Sequence, residues 1–416
     1  MAITTAVHND SLPALDWYLM PEAYSAPLVE QAFAEYGLKR GDVVLDPFSG
    51  TGTTVVVAKL HGLRGWGVEA NPFLAWAART KLAVETHPEA FDTARERVLD
   101  RIGDLSDAPE FELPDMPRVE TWITPEIAYK VIALRTAIEA ERPGVVRDLL
   151  RLALAAILRP VGNLKLTAHA FGSVQTKADA PVRDLFEART AKMVCDLAEI
   201  HAGYAIGNWD AGRSTSDRRP LGSAAVTLGD ARQLAGAEAP FGTVDLAITS
   251  PPYLNNLDYT MQTRLELFFL GHVAHLTDIR AIRKTMVVCD AKAMYKDIHD
   301  HELIRSFKPV QDIADAIAER HAGKNWGWDY PFMTRQYFGG LFRVLKGAKT
   351  HLKRGARFVL VVGESSHSGV KVPVPALLGE LGESLGYTLE NICVHRIRRS
   401  SSHGHALEEA SVVLKA

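Results

Sequence analysis

Cysteine is scarce in this chain of 416 residues: Cys195, Cys289 and Cys393 lie far apart, with no Cys-x-x-Cys pair and no metal-spaced histidine beside them. That pattern excludes a disulfide framework and gives no reason to expect a zinc or other metal centre. Long apolar runs are missing too. The longest, Leu149 to Leu158, is interrupted by Arg151 and falls well short of the ~20 residues a membrane helix needs. The opening Met1 to Asp10 has neither a basic start nor an apolar stretch of the signal-peptide kind, so a cytoplasmic location with no membrane contact is the expectation. Nor is there a surplus of positive charge, because 47 Lys and Arg stand against 50 Asp and Glu. A nucleic-acid partner would therefore have to meet a local basic groove, since phosphate neutralisation supplies most non-specific affinity. Internal repeats and low-complexity tracts are absent as well.

What is present is an ordinary globular composition, 47% hydrophobic and 23% charged, in a chain longer than the ~250–300 residues at which one core stops growing. Two or more compact units, or one core with large insertions, are expected. Asp42 to Leu45 reads as a buried strand ending in Asp46-Pro47, and Gly52 opens a helix that runs to His61 with Gly62 as its stop. A second strand, Gly65 to Glu69, leads into a helix opened by Asn71-Pro72. This alternation is the βαβ pattern of a doubly wound, mostly parallel sheet.

Strand rhythm is then lost until about Val226. Helical spacing replaces it, from Thr124-Pro125 to Pro143-Gly144, from Val145 to Leu158 with Pro160 as terminator, and from Val182 to Ile200. Strands resume at Val226 to Asp230, Val244 to Thr249, Ala356 to Val362, Thr388 to Arg396 and Ser411 to Lys415, the last two forming a hairpin. Seven strands result. The expected organisation is a core segment at 1–86, a mostly helical insertion at 87–221, core again at 222–270, a second insertion at 271–336 and the C-terminal strands at 337–416.

Two loops carry chemistry. Phe48-Ser49-Gly50-Thr51-Gly52-Thr53 joins a strand to a helix, where glycine allows close approach of a ligand and the helix N-terminus favours negative charge. Val55 stands where a dinucleotide fingerprint needs Gly or Ala, which disfavours NAD. Glu69, at the end of the next strand, can accept from both ribose hydroxyls; a solvated strand-end glutamate is the plain alternative. Asp46 can accept from a ligand amine or from the turn amides above it. Asp230, ending the third strand, can meet an adenine amine or merely cap its own turn.

The second loop, Ser250-Pro251-Pro252-Tyr253, follows a buried strand. Its prolines fix φ and remove two donors, so the carbonyls of Ser250 and Pro251 stay free to accept, and Tyr253 stands as a rigid aromatic plate. A planar amine-bearing base can stack on that plate while its amine donates to Ser250 and a carbonyl.

In these residues the chain resembles the S-adenosylmethionine-dependent amino-methyltransferases of DNA, most closely those acting on the 4-amino group of cytosine. Asp46 to Gly52 resembles their cofactor loop, Thr249 to Tyr253 their catalytic loop, and Ala23-Tyr24-Ser25-Ala26-Pro27 their cofactor-covering segment. The resemblance implies a seven-stranded class I methyltransferase sheet, Rossmann-like in its winding. It also implies S-adenosyl-L-methionine held by Tyr24, Asp46, Phe48 to Thr53, Glu69 and Asp230, with catalysis by Ser250, Pro251, Pro252 and Tyr253. Ser250 points to cytosine, as Asp or Asn heads the loop in most adenine enzymes. Cofactor loop before catalytic loop, with the long insertion between, is similar to the alpha-type order, in which such insertions often recognise the target. Residues 117–219 nevertheless hold only 15 Lys and Arg against 12 Asp and Glu.

Implied partners are DNA, with the base extruded from the duplex, and a cognate restriction endonuclease. No Pro-Cys motif occurs, which disfavours attack at ring carbon 5. Adenine-N6 methylation, an RNA base as target, and a non-catalytic nucleic-acid-binding protein on the same fold are the alternatives. Three further features stay open. His395 to His403 reads as a phosphate grip or an exposed basic turn, Arg264 and Glu266 as a helical salt link, and Lys324 to Tyr330 as a nucleic-acid surface or a packed loop. Gly363 to His367 closes the fifth strand near the same pocket.

Overall fold

In a computed structural model, residues 4–10, 12–106, 108–164, 175–203, 221–322, 329–399 and 404–416 are described. Nine strands occur among them: β1 (Val43–Asp46), β2 (Arg64–Glu69), β3 (Ser223–Leu228), β4 (Val244–Thr249), β5 (Leu352–Gly363), β6 (Ser365–His367), β7 (Val370–Val372), β8 (Thr388–Arg399) and β9 (Ala406–Lys415). Seven form one sheet in the order β3-β2-β1-β4-β5-β9-β8. The first five run parallel, and β9 is antiparallel to both its neighbours. This is the mostly parallel class I methyltransferase sheet. β6 and β7 form a separate hairpin turned at Ser368 and Gly369, both at positive φ (51° and 83°), as a two-residue turn requires.

The central strands are buried on both faces and so read as continuous apolar runs. Alternate residues feed opposite layers. Val44, Leu246, Ile248, Val359 and Val361 join one core, while Val43, Leu45, Val244, Phe358, Leu360 and Val362 join the other. Val55, Val56, Val57 and Ala58 of helix Thr53–Leu60 belong to the first layer. Helices Pro88–Ile102, Pro125–Glu139, Val145–Val161 and Val182–His201, which lie between β2 and β3, extend it outward. The second layer is covered by helix Tyr330–Lys349, through Met333, Tyr337, Phe338, Leu341, Val344, Leu345 and Ala348, and by helix Val374–Ser384. At ~1.5–3 kcal/mol per buried large apolar side chain, such faces supply much of what offsets chain entropy.

Several boundaries differ from expectation. Pro160 does not end its helix, which continues to Val161 before Gly162; a proline in a final turn costs one ladder bond there, and the Gly162 amide still reaches Leu158 O at 2.9 Å. β3 begins and ends earlier than expected, so that Asp230 caps a short 3-10 helix, Ala231–Gly236. β5, β8 and β9 are longer than their apolar stretches because charged residues continue the ladders toward the rim. Ser400 to His403 and Lys324 to Trp328 lie outside the described residues. Of the latter run, Asp329 accepts from the Phe332 amide at the head of its helix.

Candidate active site

The chain order places β1 and β4 side by side with the sheet growing away on either hand. In open α/β sheets that switch point, outside the carboxyl ends of the strands, is where ligands bind. Both candidate loops leave from it. Asp46, at the tip of β1 and 1% exposed, ties them together. It accepts from the Thr249 hydroxyl at 2.6 Å, the Tyr24 hydroxyl at 2.8 Å and the Phe48 amide at 3.1 Å. Burial raises its carboxyl, and those hydroxyls and the amide oppose the rise. With its oxygens so engaged, Asp46 sits beneath the site rather than on its wall.

The cofactor loop takes its shape from two glycines and a close approach. Gly50 and Gly52 have φ of +52° and +86°, and a Cβ on Gly52 would stand 2.9 Å from Ala78 Cβ. Val55 is accommodated by the strand: a Cβ on Gly67 would lie 2.5 Å from Ser49 Oγ and 3.2 Å from Val55 Cγ1. The small residue absent from the helix is thus supplied by β2, which is why a valine there does not hold helix and sheet apart.

Glu69 accepts from the Gly50 amide and from the Asn71 amide, each at 2.8 Å. Burial pushes its carboxyl up to about 7 against those two amides, with Asp46 adding to the rise. Asp230 accepts from the Arg232 amide at 2.8 Å and from the Arg232 guanidinium at 2.8–3.1 Å, and Arg232 also reaches Asp300 at 2.7 Å. Capping its own turn and lining the cavity are therefore compatible for Asp230.

A cavity of about 320 Å³ joins these parts, within reach of the ~300 Å³ lower end for small-molecule sites. Tyr24, Phe48, Ser49, Gly50, Thr51, Thr53, Glu69, Asp230 and all of Ser250 to Tyr253 line it, while Asp46 and Gly52 stand behind the wall. The N-terminal segment lies across it, contributing Met20 to Tyr24. Lys81 anchors that segment by donating to Leu15 O at 2.8 Å and Tyr18 O at 2.6 Å, and burial lowers its amine to about 7.

Four polar atoms of residues lining the cavity are buried without a hydrogen-bond partner among the described residues: Thr4 Oγ1, Ser49 Oγ, Glu22 Oε2 and Gln262 Nε2. An acceptor, a donor and two hydroxyls left open in one cavity fit a ligand that carries both an ammonium and a carboxylate, as the amino-acid end of S-adenosylmethionine does.

A matching family model, described as DNA methylase, covers residues 19–79, from the covering segment through Glu69 to the helix after it. The chain is also similar to a Type II methyltransferase M.AvaI from a Nostoc species, 25% identical over 405 residues, 93% of this chain and 81% of that protein. The M.AvaI of Anabaena variabilis matches to the same extent. A Type II methyltransferase M.BsoBI from Geobacillus stearothermophilus is 22% identical over 430 residues, 95% of this chain and 82% of its own. Fold, cavity and matches support a DNA methyltransferase.

The methyltransferase positions its Ser-Pro-Pro-Tyr loop with residues that no motif announced. Leu254 O accepts from Ser365 Oγ and, at 3.0 Å, from His367 Nε2. Burial lowers His367 to about 4, so the ring is neutral at pH 7 and Nε2 carries the proton. His367 in turn stacks on Tyr330 at 4.8 Å. Tyr259 Oη accepts from the Tyr253 amide at 3.3 Å. The β6–β7 hairpin thus clamps the loop from behind, which gives Gly363 to His367 its place.

Arg264 and Glu266 do not pair. Two positions apart on a helix they point to different sides: Glu266 accepts from Arg159 at 3.1 Å and from Tyr18 at 2.7 Å, while the Arg264 guanidinium lies 5.7 Å from the Trp122 ring centre. Among the described residues no helix is long and apolar enough to cross a membrane.

Proposed function

We propose that this methyltransferase transfers the methyl group of S-adenosyl-L-methionine to the exocyclic N4 amine of cytosine in DNA. The observation that carries this reading is the placement of Ser250, at the head of the Pro-Pro-Tyr loop, on the wall of the cavity that also holds the glycine loop. In this reading Glu69 takes the ribose hydroxyls and Asp230 the adenine amine. Glu22 takes the ammonium, and Ser49 with Gln262 takes the carboxylate. Bound there, the cofactor supplies an electrophilic methyl group on a sulfonium.

The chain's own groups prepare the nucleophile. Ser250 Oγ and the Pro251 carbonyl accept the two amine hydrogens, which turns the nitrogen lone pair out of the ring and toward the cofactor side. Tyr253 receives the base on its face, and the two prolines hold that geometry without reorganisation. Positioning of this kind can supply ~7–11 kcal/mol of a barrier, against the few kcal/mol that base extrusion costs. The surplus proton on the methylated nitrogen leaves past the Ser250 hydroxyl to water. Target recognition is assigned to the helical segment between β2 and β3, and a cognate restriction endonuclease to the partner, in keeping with relatives named Type II methyltransferases.

Nucleoside mass spectrometry of duplex DNA incubated with the protein and cofactor tests this. The expected product is 4-methylcytosine. Only 6-methyladenine would overturn the base, and methylated RNA beside unmodified DNA would overturn the polymer.

A further inference from the structure

At the Tyr253 end of the catalytic loop the cavity wall includes one residue of the C-terminal hairpin, Arg396 on β8. Ladder register sets it across from Glu409 on β9. Glu409 is fully buried, and its Oε2 accepts from Arg396 Nε at 3.0 Å and Nη2 at 2.6 Å. Two bonds to one carboxylate fix the plane of the guanidinium. Its third nitrogen, Nη1, has no partner among the described residues, and the side chain, which lines the cavity, is 36% exposed. The neighbouring Arg398 also lies beside Tyr253, but its Nη2 is engaged, donating to Glu364 O at 3.2 Å.

Tyr253 belongs to the same neighbourhood. A Cβ on Gly363 would stand 3.1 Å from Tyr253 Cε2, so the ring lies against the glycine end of β5. Burial raises the Tyr253 hydroxyl, the Glu409 carboxylate adds to the rise, and Ser250, Arg398 and Arg396 oppose it. Plate, amine acceptor and fixed arginine therefore converge on one end of the cavity.

Resting on the cytosine reading above, we infer that Arg396 Nη1 donates to the 2-carbonyl oxygen of the extruded cytosine, making Arg396 a specificity-determining residue. When the two amines are overlaid, adenine presents a C–H where cytosine presents that oxygen. A donor aimed there is satisfied by cytosine and left unpaired by adenine. Ser250 holds the amine, and Arg396 reads the ring beyond it.

The test is a functional-group cycle at a target site located by mapping methylated positions in host DNA. One duplex carries cytosine there, and the other a 2-aminopyridine C-nucleoside, which keeps the amine and adjacent ring nitrogen but lacks the carbonyl. Wild-type enzyme is compared with the double variant Arg396→Met, Glu409→Gln, which leaves no unpaired buried carboxylate, and with Arg396→Lys, which keeps the charge and loses the planar fork. We expect kcat/KM on cytosine to fall roughly tenfold to hundredfold in both variants, with no further fall on the analogue. An equal fall on both duplexes, as a phosphate contact would give, or no fall at all, overturns the inference. If the double variant fails to melt cooperatively, Arg396→Lys is read by the same criterion. Wild-type enzyme that methylates adenine instead refutes the cytosine reading itself, whereas 4-methylcytosine formation indifferent to Arg396 refutes only this inference.

Discussion

With Glu69 proposed to hold the ribose, binding of the cofactor should depend on pH. The residue's two oxygens already accept from the Gly50 and Asn71 amides, and burial moves its carboxyl from 4.5 up to about 7. A folded-state value above the unfolded one means that the neutral form is preferred in the fold. The stability this residue contributes is therefore complete below about pH 4.5 and is lost as pH rises through about 7. The 2.5 units between those values correspond to roughly 3 kcal/mol at most, an upper bound because the side chain remains partly accessible from the cavity. Ribose hydroxyls donate to the ionised form, so cofactor binding draws the carboxyl down again and releases a proton.

Titration calorimetry with S-adenosyl-L-methionine from pH 5.5 to 8.5 should then show affinity rising toward neutrality, by up to about tenfold per unit below 7. Glu69→Gln should flatten that slope and weaken binding at pH 8 by roughly tenfold to a hundredfold, the loss of bonds to a charged acceptor at ~1.5–3 kcal/mol. Affinity independent of pH in the wild type, or an unchanged slope in the glutamine variant, would refute the assignment of Glu69 to the ribose.

Gly67→Ala should press on Ser49 Oγ, 2.5 Å from the added carbon, and displace the cofactor loop. Urea denaturation should show a loss of ~1–3 kcal/mol together with weaker cofactor binding, and an unchanged midpoint would contradict the close approach. Arg232→Met leaves the buried Asp230 and Asp300 carboxylates without their shared cation. It should cost ~3–5 kcal/mol by chemical denaturation, and a neutral outcome would mean that the pair contributes little. Tyr253→Ala should lower kcat/KM for duplex DNA roughly tenfold to a hundredfold, as loss of a base stack worth ~1–3 kcal/mol implies, while Tyr253→Phe keeps most of the activity. Equal losses in the two variants would shift the role from the ring to the hydroxyl.

The parallel strands and their connections were legible because a central strand buried on both faces has to be apolar throughout and must end at a glycine or proline turn. Val244–Thr249 was read with its observed bounds for that reason. β8 and β9 were read short, since Arg398, Arg399, Glu408 and Glu409 stand toward the rim and imitate a polar turn. Pro160 misled because a proline near a helix end costs a single ladder bond, which packing against the surrounding apolar residues outweighs. Ser365 and His367 were legible only as part of a run closing the fifth strand near the pocket, with no role attached: their work is done on the carbonyl of Leu254, more than a hundred residues earlier.

By itself, the sequence determined the winding of the sheet, the loop able to cradle a nucleoside and the loop able to present a base, because period, proline and glycine act locally. Only the tertiary structure decided what surrounds them. Strand order brings β1 beside β4, so Asp46 became the tie between two loops two hundred residues apart rather than part of the wall. The open atoms of Glu22, Ser49 and Gln262, and the guanidinium that Glu409 fixes at the cavity edge, emerge from long-range packing. Burial alone turns such ordinary polar residues into a site, and burial is a property of the whole fold.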